Sequence, residues 1–152
     1  MNARFRKNAL PCPELAERLN ARFGESLKIV AILERRGGHA RSVQGQDLLL
    51  RVAPTSFAGF VRALFEFDGP VFHGLFGESG EEGVLLHYHF SLFQRRRGSR
   101  VGIQATVPLH REELSIPSLV DLLPSAEGCE RRLEKILGVS FHPGGGTPFE
   151  EE

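Results

Sequence analysis

The sequence has no tryptophan, one methionine, one tyrosine and two cysteines among its 152 residues. Cys12 and Cys129 lie far apart and form no C-x-x-C pair. This argues against a disulfide framework and a thiolate metal site, and points to a reducing compartment. Net charge is missing too: 19 basic and 19 acidic side chains cancel, so no global field recruits nucleic acid, anionic lipid or an acidic substrate. Long hydrophobic runs are also lacking. The basic start "MNARFRKNAL" is followed by "PCPELAERLN", without the apolar core of a signal peptide, and no stretch reaches the length of a bilayer span. The expectation is a soluble, cytoplasmic protein with no membrane span of its own.

What is present is patterning. The length suits one domain that hides about two-thirds of its unfolded surface. In "PELAERLNARFG", Leu15, Leu19 and Phe23 recur at helical spacing and Gly24 stops the helix. "LKIVAIL", residues 27–33, is β-branched and apolar at every position but one, the pattern of a strand covered on both faces. "DLLLRVAP", residues 47–54, predicts a second strand. Thr55 is then the expected cap of a helix with Phe57, Phe60, Val61, Leu64 and Phe65 on its buried side.

The clearest alternation is in "VLLHYHFSLF". Val84, Leu86, Tyr88, Phe90 and Leu92 take one face, and His87, His89 and Ser91 the other. It resumes in "RVGIQATV", with Val101, Ile103, Ala105 and Val107 in phase, so the two runs predict an antiparallel hairpin. "GPVFHGLF", residues 69–76, is the expected neighbouring strand. Near the end, Ser125 is placed to cap a helix over 126–137 that Gly138 closes. Its apolar stripe reads Ala126, Cys129, Leu133, Ile136 and Leu137. The resulting expectation is an α+β fold: a mainly antiparallel, mixed sheet with helices packed on it, in a single two-layer domain over residues 1–141. The tail 142–152, rich in glycine, proline and glutamate, is expected to be mobile.

Few residues carry chemistry. His87 and His89 leave the same strand face and could share a metal with a third ligand, but none is evident at useful spacing from His39, His73, His110 or His142. Polar histidines on the less buried sheet face, or at a subunit contact, is the favoured reading. "RRRGSR", residues 95–100, could touch phosphates, but without interleaved aromatics it reads as a solvated turn. The glycine clusters lack the lysine and hydroxyl of a phosphate loop. Cys129, near a helix start, reads as core rather than nucleophile. Glu127 and Arg131 form a favourable i, i+4 pair, while Arg131, Arg132 and Lys135 give the helix a basic exposed side.

The segment "IPSLVDLLPSAEGCERRLEKILGVSF", residues 116–141, resembles the signature of the C subunit of NADH:quinone oxidoreductase, the thirty-kilodalton subunit of complex I. Relatives of that subunit occur in membrane-bound, energy-converting nickel-iron hydrogenases. Pro117, Ser118, Asp121, Leu122, Pro124, Ala126, Glu130, Arg131, Gly138, Val139 and Phe141 match in register. The strand pair "HYHFSLFQRRRGSRVGIQATV" is also similar to the family's approach to the signature. Leu123 and Gly128 stand at family tryptophans, Arg132 and Lys135 at family acids, and the usual extension after Phe141 is reduced to His142 and Pro143.

The likeness is that of a divergent, short member, and it moves the reading toward the hydrogenase-type complexes, with the quinone-reductase arm as alternative. It implies an α+β subunit with no catalytic centre and no flavin, iron-sulfur cluster or quinone of its own. Such a subunit packs on the large, hydrogenase-like catalytic subunit beside an iron-sulfur subunit, on the cytoplasmic side of the membrane. The implied interface residues are Glu130, Arg131, Arg132 and Lys135, with Pro117, Ser118 and Pro124 shaping the approach.

Overall fold

The alternating segments form the middle of a five-stranded sheet, because each carries one continuous apolar face that must be buried. The computed structural model of the chain describes residues 10–37, 42–94 and 99–143. The elements run α1 (Cys12–Phe23), β1 (Leu27–Gly37), β2 (Ser42–Val52), α2 (Phe57–Phe67), β3 (Val71–Ser79), β4 (Gly83–Leu92), β5 (Val101–His110), β6 (Ser115–Pro117), α3 (Glu127–Leu137) and β7 (Ser140–His142). The large sheet has the order β1-β2-β5-β4-β3. All its neighbours are antiparallel except β2 and β5, which are parallel. The fold is therefore α+β with a mixed sheet, and the expected β4–β5 hairpin pairs from Gly83 opposite His110 to Leu92 opposite Val101.

Leu48, Leu50, Leu86, Tyr88, Phe90, Ile103 and Val107 line the covered face and are buried almost completely. The helices close over that face. Phe57 of α2 sits 4.3 Å from the Tyr88 ring, centroid to centroid, and Leu15 and Leu19 of α1 join the same core. On the outside, Arg22 of α1 donates to both carboxylate oxygens of Glu66 on α2, at 2.8 and 3.1 Å. Helix α3 packs across the β3 edge: a Cβ at Gly77 would lie 2.5 Å from Leu137 Cδ1, so a larger residue there makes the Leu137 side chain shift.

Three local expectations need correction. Residues 27–33 are part of an edge strand covered on one face only, with Val30 55% and Leu33 49% exposed. An unbroken apolar run does not distinguish an edge from a centre, and here the partner geometry slips between Ile29 and Ala31. Thr55 and Ser125 do not cap helices. Each lies inside a single 3-10 turn, Pro54–Ser56 and Pro124–Ala126, that precedes its helix. There the backbone satisfies the first donors, with Ser56 N–H on Ala53 O at 2.9 Å and Ala126 N–H on Leu123 O at 3.0 Å. Gly138 does end α3 as expected, in left-handed geometry with φ 73°.

The end of the chain returns to the domain. β6 and β7 pair in parallel, Ser140 N–H bonds Leu114 O at 2.8 Å and Ser118 N–H bonds His142 O at 2.7 Å. His142, the first residue of the expected tail, thus lies in a strand, while residues 144–152 are outside the described residues.

Candidate functional site

The signature segment folds back on itself around one carboxylate. Ile116, Leu119, Ala126 and Val139 are buried and anchor the segment where β6, the turn and α3 meet. Between them Glu130 turns inward and is only 4% exposed. Its carboxylate accepts the Ser118 hydroxyl at 2.6 Å and the Leu119 N–H at 2.8 Å. The same Ser118 oxygen accepts the Val120 N–H at 3.0 Å, so its rotor is fixed from both sides. A buried charge is tolerable only when its lone pairs are met. Here they hold the 118–120 turn against the start of α3.

Burial pushes the Glu130 carboxyl above the usual glutamate range, the Ser118 and Leu119 bonds oppose that, and Glu134 and Glu127 add to it. Beside this clasp the Tyr88 hydroxyl is buried with no hydrogen-bond partner among the described residues. Burial drives its pKa well up, with the Glu130 charge adding to the effect.

Helix α3 is therefore rotated relative to the stripe read from hydrophobicity. Its inward line is Ala126, Glu130, Leu133 and Leu137, at i, i+4, i+7 and i+11. Cys129 is half-buried and Ile136 is 64% exposed. A reading by hydrophobicity puts a glutamate outside and an isoleucine inside; the hydrogen bonds from Ser118 and Leu119 invert both. The available signal was the straight i, i+4, i+7, i+11 line, which accepts Glu130 and rejects Ile136.

The residues implied as an interface thus divide. Glu130 and Ser118 are internal partners, Pro117 sits in β6, and Pro124 opens the 3-10 turn. Arg131, Arg132 and Lys135 share the exposed side of α3, with Arg131 held to Glu127 at 2.8 Å through Nη2. No described helix is long and apolar enough to cross a membrane.

The histidine face is a second polar region. Strand register puts His87 opposite Thr106 and His89 opposite Gln104 on the face away from the helices. His87 Nδ1 meets Thr106 Oγ1 at 2.9 Å and its Nε2 meets Glu78 at 3.2 Å. His73, set aside in the sequence for want of a partner at useful spacing, meets Ser91 Oγ at 2.8 Å beside a slip in the β3–β4 register. His89 stands edge-on to Phe76 at 5.3 Å, and burial, then His87 and His73, depress its pKa. Among the described residues no three His, Cys, Asp or Glu side chains are placed to hold a metal. The Cys12 thiol is buried and pushed up to about 11, chiefly by burial, which makes it a poor nucleophile. Arg95, Arg96 and Arg97 of the basic turn, and His39, lie outside the described residues.

The chain is similar in fold to Nqo5. A trypsin-resistant fragment of that protein superposes with a TM-score of 0.62 at 16% identity, covering 87% of this chain and 97% of the fragment. A chain of the membrane-bound sulfane sulfur reductase, an archaeal respiratory membrane complex, superposes with a TM-score of 0.61 at 19% identity, covering 92% of this chain and 76% of that one. No family model and no curated protein matches the chain. At these identities the likeness establishes the shared α+β fold.

Proposed function

We propose that the chain is a non-catalytic subunit of a membrane-associated oxidoreductase complex, a divergent relative of the complex I C subunit. On this reading it docks through the exposed side of α3 on a large, hydrogenase-like catalytic subunit, with an iron-sulfur subunit as neighbour, peripheral to the cytoplasmic face of the membrane. One observation carries the reading. The residues that match the C-subunit signature build a clasp whose outer side is the Arg131, Arg132 and Lys135 surface, and this happens in the fold shared with Nqo5 and with a respiratory membrane complex. The clasp spends its hydrogen bonds on shape rather than on a reacting group, which is what an assembly element needs. The complex is an energy-converting hydrogenase or formate hydrogenlyase. The second reading, the peripheral arm of an NADH:quinone oxidoreductase, has the fold likeness to the trypsin-resistant fragment of Nqo5 as its support.

The test is the double variant Arg132→Glu, Lys135→Asp in the tagged full chain, expressed in its own host. The large subunit that co-purifies is quantified by mass spectrometry, and the fold of the isolated chain is followed by circular dichroism. The expected result is a folded chain that has lost the large subunit, because reversed charges meet the wrong partners across an interface. Full retention of that subunit by the folded variant overturns the docking assignment.

A further inference from the structure

Nothing among the described residues requires glycine at position 128. It lies in the first turn of α3, in ordinary helical backbone, exposed, and a Cβ built on it would find nothing within 4 Å among the described residues. Glycine is the poorest helix former after proline, so at an exposed helical position it weakens the element it occupies unless something outside comes close. At 3.6 residues per turn, Arg131, Arg132 and Lys135 follow Gly128 along the exposed crest, with Ile136 and Cys129 along one flank and Glu127 and Glu134 along the other.

Resting on the docking reading above, we infer that a segment of the partner crosses α3 main chain against main chain at Gly128, carrying acidic side chains to the basic crest and an apolar contact to Ile136. The missing side chain supplies the room for that approach. Arg131 already has its acceptor in Glu127, but Arg132 and Lys135 require acceptors when water is excluded around them, which makes the crossing segment acidic. Ile136, 64% exposed, gives an apolar anchor beside that charge, the arrangement of an interface core with a polar rim. A second copy of this chain fits poorly. A two-fold contact through α3 would bring the same basic crest from both copies to one interface, and like charges there repel.

Gly128→Gln, Gly128→Ala and Ile136→Ser in the tagged full chain test the crossing, beside the Arg132→Glu, Lys135→Asp variant. The readouts are the large subunit retained, by mass spectrometry, and Tm and light scattering of the free chain. Gly128→Gln should lower the retained subunit about tenfold, or about 1.4 kcal/mol, with Gly128→Ala and Ile136→Ser intermediate. The free chain's Tm should rise for Gly128→Ala, because alanine is the better helix former. Loss of the subunit in the charge variant with full retention in Gly128→Gln overturns the crossing and leaves the docking face standing. Retention in both overturns both. A dimer of this chain that Gly128→Gln converts to monomer overturns the acidic-partner assignment in favour of a second copy.

Discussion

Helices α2 and α3 are both 11 residues long, yet they do opposite work. In α2, Phe57, Phe60, Val61, Ala63 and Leu64 are buried completely, and Arg62 and Glu66 are its only charges. It is swallowed by the core. In α3 the buried positions are Glu130 and Leu133, while six of its residues carry charge: Glu127, Glu130, Arg131, Arg132, Glu134 and Lys135. One helix holds the domain together through apolar area. The other is held by it, through a short inward line and one hydrogen-bonded carboxylate, and so keeps most of its surface for something else.

The largest effect should come from α2. Phe60→Ala removes a ring that packs against Phe57 and Phe23 at 6.1 and 6.2 Å between centroids, and large-to-small changes of this kind cost about 3–5 kcal/mol. Urea denaturation of the isolated chain measures it, and a cost under about 1 kcal/mol would mean that α2 is not the central element. Next is the clasp. Glu130→Ala strands the Leu119 N–H, and leaving a buried donor unmet costs about 1–3 kcal/mol. Slow hydrogen exchange at Leu119 in the wild type, lost in the variant, locates the effect.

The sign of the pH dependence also separates the clasp on α3 from the histidine face of the sheet. The Glu130 carboxyl is raised in the folded state, so between the ordinary and the raised value the folded chain binds the extra proton. Its contribution is fully present below the ordinary glutamate range and is lost as pH rises through the folded value. Glu130→Gln should flatten that decline. His89 runs the other way: its pKa is depressed in the folded state, so its contribution is present above the ordinary imidazole value and fades as pH falls through that value toward the folded one. A His89→Gln variant should lose this acid-side slope, and an unchanged slope would place the titrating group elsewhere. Tyr88→Phe should be close to neutral or stabilising by up to about 1 kcal/mol, because it removes a buried hydroxyl that has no hydrogen-bond partner among the described residues. A loss of stability would instead reveal a bound water on that hydroxyl.

How much was legible in the sequence follows from the same contrast. Period-two alternation gave β4 and β5 and the identity of their buried face, since Val84 to Leu92 and Val101 to Val107 fall as read. Apolar periodicity likewise placed α2. What it could not give was the edge position of β1, because an apolar run looks the same in the centre and at the rim. Nor could it give the parallel β6–β7 pair, which rests on backbone bonds of three-residue strands with no periodicity to show. The candidate site was legible as a segment but not in its orientation. The Glu130 carboxylate is buried by bonds to Ser118 and Leu119, 12 and 11 residues away, and no scale of single-residue hydrophobicity contains them.

The smallest effect is the sharpest test of that orientation. If Ile136 belonged to the core stripe, as its hydrophobicity alone suggests, Ile136→Lys would bury an unpaired charge at a cost of several kcal/mol. With the residue 64% exposed, the change should stay within about 0.5 kcal/mol. Two small terms compete inside that range. A cation in the last turn of α3 is favoured by the helix dipole, whereas Arg132, four residues earlier, repels it. Leu133→Asp, three residues away on the inward line, is the control. It should unfold the C-terminal part of the chain, because Leu133 is only 6% exposed. Urea denaturation of the two variants side by side decides the rotation of α3. Equal losses would put Ile136 back in the core and remove the anchor from the docking surface, whereas a large loss at 133 with none at 136 leaves the isoleucine facing outward for a partner to cover.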